Sequence, residues 1–369
     1  MNTTTSSNAT NTSQRGPTRI WILVVFALVA VVIFGLWGLG DWRGLIVGGP
    51  TSGTTAQSIY RAKVSPVPQL NQPGALAVDP KGGVLISNVG TNQLLLRSSN
   101  GRISVVAGTG KPGYFGDGGP AREAELNAPG GIAVSSNGTI YLADSANNRV
   151  RAISTSGVIT TVAGNGHING KLSGGLAVND SIVDPTSLAL GPNGQLYVVD
   201  EMGLQMISSS DILTTVIGAK PSLLKITTIN NGAGIAFNPT TVAVDPAGDI
   251  YVFDFSPKLL IEFSKSGTIL GSWQIYVAEQ GLAVASNNSL IVADYGNFSI
   301  DRAVAGKLTY ITRFKLGGIP GLAGIFRPTG VAASASGEIY VDTDGENGGI
   351  NHPALIELNG AGTIKKLVA

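Results

Sequence analysis

The sequence predicts an all-β protein, a six-bladed β-propeller preceded by a single N-terminal transmembrane helix. Three observations support this fold class. An uncharged apolar run lies near the N-terminus, at residues 20–40. Beyond residue 70, a pattern of two short apolar strands recurs six times. The composition, with 51 glycines and 13% charged residues in a chain of 369, suits many short strands joined by tight turns.

The apolar run is long enough to cross a membrane, since about 20 helical residues span a hydrocarbon core of roughly 30 Å. Trp21, Trp37 and Trp42 lie near its two ends, where aromatic rings favour the membrane interface. A cleaved signal peptide is the alternative, but the run is long for such a segment and no small-residue cleavage site follows it. The predicted organisation is a disordered cytoplasmic tail (1–19), a transmembrane helix (20–40), a flexible tether (41–58) and a propeller (59–369).

The charges that flank the run predict its orientation. Arg15 and Arg19 precede it, whereas Asp41 and Arg43 on the other side cancel each other. Because positive charge stays on the cytoplasmic side, the N-terminus is expected in the cytoplasm. The protein is therefore predicted to be a single-pass membrane protein whose propeller lies in the periplasm or at the cell surface.

The remaining composition excludes several classes of function. Beyond residue 40 the chain has 22 basic and 23 acidic residues and no basic stripe, so nucleic acid is not an expected partner. The absence of cysteine excludes disulfides, thiolate zinc sites and a thiol nucleophile. Two histidines, His167 and His352, are too few for a histidine-based metal centre.

The repeated unit explains why a propeller is predicted. Its copies occupy residues 73–88, 129–144, 185–200, 239–254, 280–294 and 328–343. Most copies open with proline and an apolar alternation, and a glycine- or asparagine-rich turn leads to a second strand. In the second copy, two further strands are predicted at 149–154 and 157–164. Four strands per unit, at intervals of roughly 40 to 56 residues, are typical of propeller blades.

The glycine-rich segment that joins the first two units, residues 114–134, is predicted to be architectural. It contains Asp117 but lacks the alternating acids of a calcium loop and the terminal Gly-Lys-Ser/Thr of a phosphate loop. A degenerate copy before the third unit keeps the apolar residue three positions before proline, so that Ile182 matches Leu126, but does not keep the acid. We therefore expect Pro120 to start a short helical turn and Leu126 to fill the space between two blades.

Residues 107–166 closely resemble the NHL repeat family. The resemblance is carried by the Gly-Asp-Gly-Gly-Pro-Ala loop, the segment LADSANNRVR and the strand GVITTVAG. It is strong over residues 73–166, fair as far as residue 273 and weak beyond. The resemblance implies a propeller that serves as a recognition surface, without fixing a ligand.

An acid or amide ends the second strand of five units, and these residues are the first candidate site: Asn88, Asp144, Asp200, Asp254 and Asp294. By symmetry they should form a ring around one end of the channel, where carboxylates could hold calcium or a cationic ligand. In the alternative interpretation, each accepts backbone N–H groups in its own turn. Arg149 is expected to pair with the acid of its own unit, and Glu201 is an additional acid outside the repeat pattern.

Three functions are compatible with these features. The leading hypothesis is a membrane-anchored recognition or scaffold module whose loop face binds a protein, peptide or glycan, with an aromatic patch as the second candidate site: Tyr114, Phe115, Phe255, Tyr295 and Phe298. One alternative is a metal-dependent lactonase- or lyase-like enzyme with its site at the mouth of the central channel. Lactonases of similar fold need acids and amides there, and Asn88, Asp144, Glu201 and Asp254 are of suitable types. The other is a structural envelope protein. No catalytic residue or metal ligand is assigned, and no cofactor is expected unless the acids converge on calcium.

Overall fold

A computed structural model of the protein describes residues 70–168, 173–218, 223–225, 234–256, 258–274, 279–304, 307–313, 327–343 and 353–368. The predicted tail, transmembrane helix and tether lie outside these residues. Within them, none of the helices has the length and apolar character needed to span a membrane. Contacts divide the chain between Ile59 and Tyr60, and every described strand belongs to the second part.

The described residues form six four-stranded antiparallel sheets, each built from consecutive strands. Every sheet starts at one of the six predicted repeats, so the prediction of a six-bladed propeller is confirmed. Within each sheet the first strand of the repeat is innermost and the fourth is outermost. A separate two-stranded sheet between blades 3 and 4 was not predicted, because its strands are outside the repeat pattern.

Blade 1 comprises β1 (Pro73–Val78), β2 (Val84–Asn88), β3 (Gln93–Arg97) and β4 (Ile103–Ala107), and blade 2 comprises β5 (Pro129–Val134), β6 (Ile140–Asp144), β7 (Arg149–Ile153) and β8 (Ile159–Ala163). Blade 3 comprises β9 (Ser187–Leu190), β10 (Leu196–Asp200), β11 (Gly203–Ile207) and β12 (Leu213–Gly218), and is followed by the extra strands β13 (Leu223–Lys225) and β14 (Gly234–Ala236). Blade 4 comprises β15 (Pro239–Val244), β16 (Ile250–Asp254), β17 (Leu259–Phe263) and β18 (Ile269–Gln274). Blade 5 comprises β19 (Glu279–Val284), β20 (Leu290–Asp294), β21 (Ser299–Val304) and β22 (Lys307–Arg313), and blade 6 comprises β23 (Pro328–Ala333), β24 (Ile339–Thr343), β25 (Ala354–Leu358) and β26 (Ile364–Val368). Three short 3-10 turns cover Val89–Thr91, Ala121–Glu123 and Ser145–Asn147.

The core lies between blades rather than within them. Six clusters of buried apolar side chains each join two neighbouring blades, because a single four-stranded sheet cannot cover its own faces. Leu126 is fully buried in the cluster between blades 1 and 2, and Ile182 is fully buried between blades 2 and 3. Pro120 immediately precedes a 3-10 turn. The architectural role predicted for this connector is confirmed.

The inner strands approach the axis closely and leave only a narrow channel. A cavity of about 100 Å³ on the axis is lined by residues at the start of the inner strands of all six blades. At Gly131, a Cβ atom would lie 2.7 Å from the Cα atom of Ser187 on the next inner strand, so only glycine fits. The sequence left the closure of the ring open. The two ends meet by side-chain packing of blade 6 on blade 1, with Tyr340 against Leu76, and by an ion pair of 3.8 Å between Arg97 and Glu357.

Two asparagines join successive blades on one end of the propeller. Asn92 and Asn148 adopt left-handed conformations, with φ of 52° and 54°, at the start of the third strand of blades 1 and 2. The Oδ1 atom of Asn92 accepts the backbone N–H of Ala128 at 2.9 Å, and that of Asn148 accepts the N–H of Asp184 at 2.9 Å. Each asparagine therefore fixes the connector that leads into the next blade.

Candidate functional site

The candidate residues all belong to one end of the propeller, which we call the loop face. It carries the loops that follow the second strand of each blade and the connectors that lead to each inner strand. The opposite end, the turn face, carries the two tight hairpin turns of each blade. Although the candidates share the loop face, the structure distributes them among the blade interiors and three separate surface clusters.

The acids and amides that end the second strands are buried inside their own blades. Asn88, Asp144, Asp254 and Asp294 are fully buried and Asp200 is 3% exposed. None of them lines the described axial channel. Four accept a backbone N–H from the connector that enters the same blade: Asn71 to Asn88 (2.6 Å), Asn127 to Asp144 (2.7 Å), Val183 to Asp200 (3.2 Å) and Asn238 to Asp254 (3.3 Å). Asp200 and Asp254 also accept the N–H of Met202 (2.9 Å) and of Ser256 (3.0 Å) in the turn that follows, which is the geometry of the alternative interpretation.

Burial raises the pKa of these carboxyls despite their hydrogen bonds. For Asp200, loss of solvent raises the pKa to about 6, against hydrogen bonds from Val183, Gln205 and Met202 that lower it. Burial also raises the pKa of Asp254 to about 6. The pKa values of Asp144 and Asp294 are raised by the same cause. The carboxyls are thus held in place by donors that replace water only in part.

Blade 2 adds a buried cation that the sequence analysis missed. The guanidinium of Arg151, which is fully buried, donates to Asp144 Oδ2 at 3.0 Å and to Asp117 Oδ1 at 2.8 Å. Thr161 donates its hydroxyl to the other oxygen of Asp117 at 2.6 Å. The acid of the glycine-rich connector is therefore a partner of blade 2, and the network ties the connector to the sheet.

The expected pairing of Arg149 with Asp144 is wrong. Arg149 is the first residue of β7, and its guanidinium extends over the loop, where it donates to the carbonyls of Asn147 (2.8 Å) and Asn165 (3.3 Å). The residue that reaches the carboxyl is the next one on the same face of the strand, Arg151, which lies deeper in the sheet. The sequence contains a signal for this buried role, because Arg151 interrupts an apolar strand at a position whose side chain must face another blade.

The first surface cluster contains the aromatic pair of the connector. Tyr114 is 62% exposed and Phe115 is 75% exposed. Their backbone is nevertheless tied down, since Asn147 Nδ2 donates to the carbonyl of Gly113 at 2.6 Å and the N–H of Glu125 donates to the carbonyl of Phe115 at 2.9 Å. The guanidinium carbon of Arg149 lies 4.4 Å from the centre of the Tyr114 ring.

The second cluster surrounds the mouth of the channel. A cavity of about 570 Å³ opens there, with Asp184, Asp200, Glu201 and Phe255 in its wall. Phe255 is 49% exposed, and no lysine or arginine is among the described residues of the wall. The mouth is therefore acidic on one side and carries one accessible aromatic ring.

The third cluster lies between blades 5 and 6. Arg327 donates to the hydroxyl of Tyr295 at 2.6 Å. Its guanidinium carbon lies 4.9 Å from the centre of the Tyr295 ring and 5.7 Å from that of Phe298. Both aromatic residues are half-buried, so this cluster offers less accessible surface than Tyr114 and Phe115.

Comparison with known sequences agrees with the fold. A family model described as the teneurin NHL domain matches residues 96–173. Over 158 residues the chain is 35% identical to teneurin-1 of Gallus gallus, an alignment that covers 37% of this chain and 6% of that protein. NHL repeat-containing protein 2 of Gallus gallus is 34% identical over 110 residues, covering 29% of this chain and 15% of that protein.

These matches support the resemblance to the NHL repeat family. The chain matches only a small fraction of the length of teneurin-1, so the similarity concerns the propeller. Among solved structures, virginiamycin B lyase from Staphylococcus aureus superposes with a TM-score of 0.51 at 16% identity, covering 79% of this chain and 83% of that one. A chain of the nidogen/laminin complex gives a TM-score of 0.52 at 13% identity, covering 76% of this chain and 90% of that one. At such identities the likeness shows the fold alone.

Proposed function

We propose that this NHL propeller is a recognition module that binds a protein or peptide through its loop face, and that residues 20–40 hold it at a membrane with the propeller outside the cytoplasm. The observation that carries the proposal is the pair Tyr114 and Phe115, which is exposed although its backbone is anchored. Two large aromatic side chains in water contribute nothing to the core. Their rigid presentation supports a role in binding.

The chemistry of this cluster suits a protein partner. Tyrosine and arginine are enriched among the residues that dominate binding energy at protein interfaces. Arg149 lies over Tyr114 and fixes the ring before a partner arrives, which reduces the entropy lost on binding. Asn147 holds the loop from below through Gly113. A preorganised aromatic platform of this kind also stacks on sugar rings, so a glycan is the other ligand class that the test must distinguish.

The channel mouth would add selectivity for a basic group. Asp184 and Glu201 are exposed in its wall, and the half-exposed ring of Phe255 offers a face to a cation. A lysine or arginine side chain of the partner is the chemical group that fits these neighbours.

The enzyme alternative would need polar groups that converge on the channel mouth. Among the described residues, no group of three or more histidine, cysteine or acidic side chains is placed to hold a metal ion. At the mouth, the carboxyl of Asp200 already accepts hydrogen bonds from Val183, Met202 and Gln205.

The decisive experiment is photo-crosslinking in the native cell. A benzoylphenylalanine replaces Phe115 in the full chain, and in a matched control it replaces Tyr310, another aromatic that is 58% exposed but lies on the outer strand β22. We expect a discrete adduct with another protein from position 115 only, which Tyr114→Ala weakens. A sugar-containing adduct would indicate a glycan, and an adduct with a second copy of the chain would support the structural alternative. Equal adducts at both positions, or none at 115, would refute the proposal.

Anchoring and orientation are tested separately. We expect the full chain to stay with membranes after alkaline extraction, because a spanning helix is not released by high pH. Protease added to intact cells or spheroplasts should digest the propeller and leave residues 1–40 protected. Release by alkali would contradict the anchor, and protection of the propeller would contradict the orientation.

A further inference from the structure

Blade 5 contains a buried pair of carboxyls at a place where blade 2 holds an ion pair. In each blade, the residue that ends the second strand lies directly opposite a residue of the third strand. Its diagonal neighbour is the third-strand residue two positions further along the chain. This pair of diagonal neighbours is Asp144 and Arg151 in blade 2, and Asp294 and Asp301 in blade 5. The corresponding third-strand residues in blades 1, 3, 4 and 6 are uncharged: Leu95, Gln205, Ile261 and Ile356.

Both carboxyls of blade 5 are withdrawn from water. Asp294 is fully buried and Asp301 is 3% exposed. Asp294 has donors of its own, since the backbone N–H of Asn297 reaches Oδ1 at 2.9 Å and its side-chain amide reaches Oδ2 at 2.8 Å. Asp301 is less well supplied, because its Oδ1 atom is buried and accepts no hydrogen bond.

A third oxygen beside the pair is also without a partner. Ser299 lies directly opposite Asp294 in the sheet and is fully buried, and its hydroxyl makes no hydrogen bond of ordinary geometry. The hydroxyl is near enough to both carboxyls to lower the pKa of each. A single hydroxyl can donate to only one of the two carboxyls at a time, so it cannot supply both of these buried groups.

The charge of Arg313 on the neighbouring strand lowers the pKa of Asp301 and so compensates the pair only in part. Arg313 lies opposite Ser299 on β22, but its guanidinium carbon is 3.7 Å from the centre of the Tyr310 ring. In the part of the chain that the structure describes, Arg313 forms no ion pair with Asp294 or Asp301. Two buried carboxyls therefore face each other without the guanidinium that blade 2 supplies.

We propose that Asp294, Ser299 and Asp301 bind a hard divalent cation, such as calcium, inside blade 5. Diagonal neighbours on paired strands have Cβ atoms about 7 to 8 Å apart, a span that two carboxylates can bridge through an ion with oxygen distances near 2.4 Å. All three side chains offer oxygen, which such ions prefer. The loop residues Gly296 and Asn297, which come shortly after Asp294, are exposed.

The ligand set predicts modest affinity. Two carboxylates and a hydroxyl leave several coordination positions to backbone carbonyls and water. Sites with few charged ligands in extracellular modules bind calcium with dissociation constants on the order of 10⁻⁴ to 10⁻³ M. The cation would act as a structural substitute for an arginine side chain, and the inference does not depend on the proposed recognition function.

The test uses the full chain in detergent solution after removal of metals with a chelator. We expect calcium at about 10 mM to raise the melting temperature by about 2 to 4 °C, and terbium to give luminescence sensitised by Tyr310 and Tyr295. Asp301→Asn should abolish both signals. In Asp301→Arg, which reproduces blade 2, the melting temperature should no longer respond to calcium. The matched control Asp254→Asn alters the corresponding acid of blade 4 and should keep both responses.

Each of the following results would overturn the proposal. No calcium response in the parent protein, the same response to sodium at equal ionic strength, or a full response in Asp301→Asn would each exclude the site. Should calcium have no effect while the chelated protein melts at a higher temperature at pH 5 than at pH 7, the pair shares a proton instead of a metal.

Discussion

Blades 2 and 5 have the same backbone and opposite charges at one position of the third strand. Arg151 in blade 2 reaches both Asp144 and the connector acid Asp117, whereas Asp301 in blade 5 faces another carboxyl. The comparison shows that the repeat dictates an acid or amide at the end of the second strand in five blades, but not its partner on the third strand. Each of the four blades with an acid there must balance its buried charge in its own way.

The largest effect should come from removing the cation of blade 2. Arg151→Met leaves Asp144 fully buried without its counter-charge, and breaking one partner of a buried ion pair costs about 3 to 5 kcal/mol. We expect a loss of this size in the free energy of unfolding, measured by urea denaturation of the full chain and followed by circular dichroism.

A matched variant separates charge from packing. Arg151→Gln reproduces blade 3, where Gln205 donates to Asp200 at 3.4 Å and accepts from Thr215 at 2.8 Å. Thr161 of blade 2 corresponds to Thr215 of blade 3, so it is placed to bond the new glutamine. This variant should therefore lose only about 1 to 2 kcal/mol of the free energy of unfolding. If both variants lost the same free energy of unfolding, Arg151 would contribute through the packing volume of its side chain alone and not through its polar contacts.

The next effect concerns pH and blade 5. Burial, with a further contribution from the charge of Asp294, raises the pKa of Asp301 to about 6. The folded state therefore holds this proton more tightly than the unfolded state, and Asp301 destabilises the fold increasingly as the pH rises from about 4 to 6. In chelator, Asp301→Ile should gain about 1 to 2 kcal/mol at pH 7 relative to the parent protein and nothing at pH 4.

The control for this prediction follows from the repeat itself. Blades 4 and 6 carry Ile261 and Ile356 at the same position, so isoleucine is compatible with the sheet. Urea denaturation at several pH values measures the difference. A gain that is equal at pH 4 and pH 7 would show that the ionisation of Asp301 has no part in it.

A smaller effect tests the asparagines that join the blades. Asn148→Ala removes the acceptor of the Asp184 N–H and places alanine at a φ of 54°, for an expected loss of about 1 to 3 kcal/mol. Asn148→Gly keeps the conformation and should lose less. If glycine and alanine lose the same amount, the hydrogen bond rather than the backbone conformation carries the effect.

The smallest effect belongs to the surface. Arg149→Ala removes the contact with the exposed ring of Tyr114 and the hydrogen bonds to the carbonyls of Asn147 and Asn165. These groups lie at the surface, where water replaces the lost bonds, so we expect the free energy of unfolding to fall by about 1 kcal/mol, while crosslinking from position 115 weakens clearly. A large loss of stability without a change in crosslinking would assign Arg149 to the fold instead of the surface.

The sequence was sufficient for the parts of the fold that repeat. Six copies of one strand pair, five of which open with proline, with a turn between the two strands, specify the blades and their order. The buried leucine of the connector was also predictable, because Leu126 and Ile182 keep their distance from the following proline. The recurrence of asparagine four residues after Asn88 and Asp144 would have revealed the links between blades.

The interactions that differ between blades were not predictable in the same way. A repeat pattern shows what all copies share, whereas Arg151 and Asp117 are distant in sequence and occur together only in blade 2. Likewise, the acid that ends each second strand has the right chemistry for a ligand site, but only its hydrogen bonds to the incoming connector show that it lies inside the blade. The direction of these acidic side chains depends on how the connectors pack against the blades, which a single sequence does not show.

Hydrogen–deuterium exchange of the full chain, alone and with the partner captured at position 115, tests recognition by the loop face most directly. We predict slower exchange at residues 113–116 and 145–149 on the loop face, with no change at the turn-face segments 80–82, 136–138 and 155–157. Protection confined to the turn-face segments, or no protection at 113–116, would contradict recognition through the loop face.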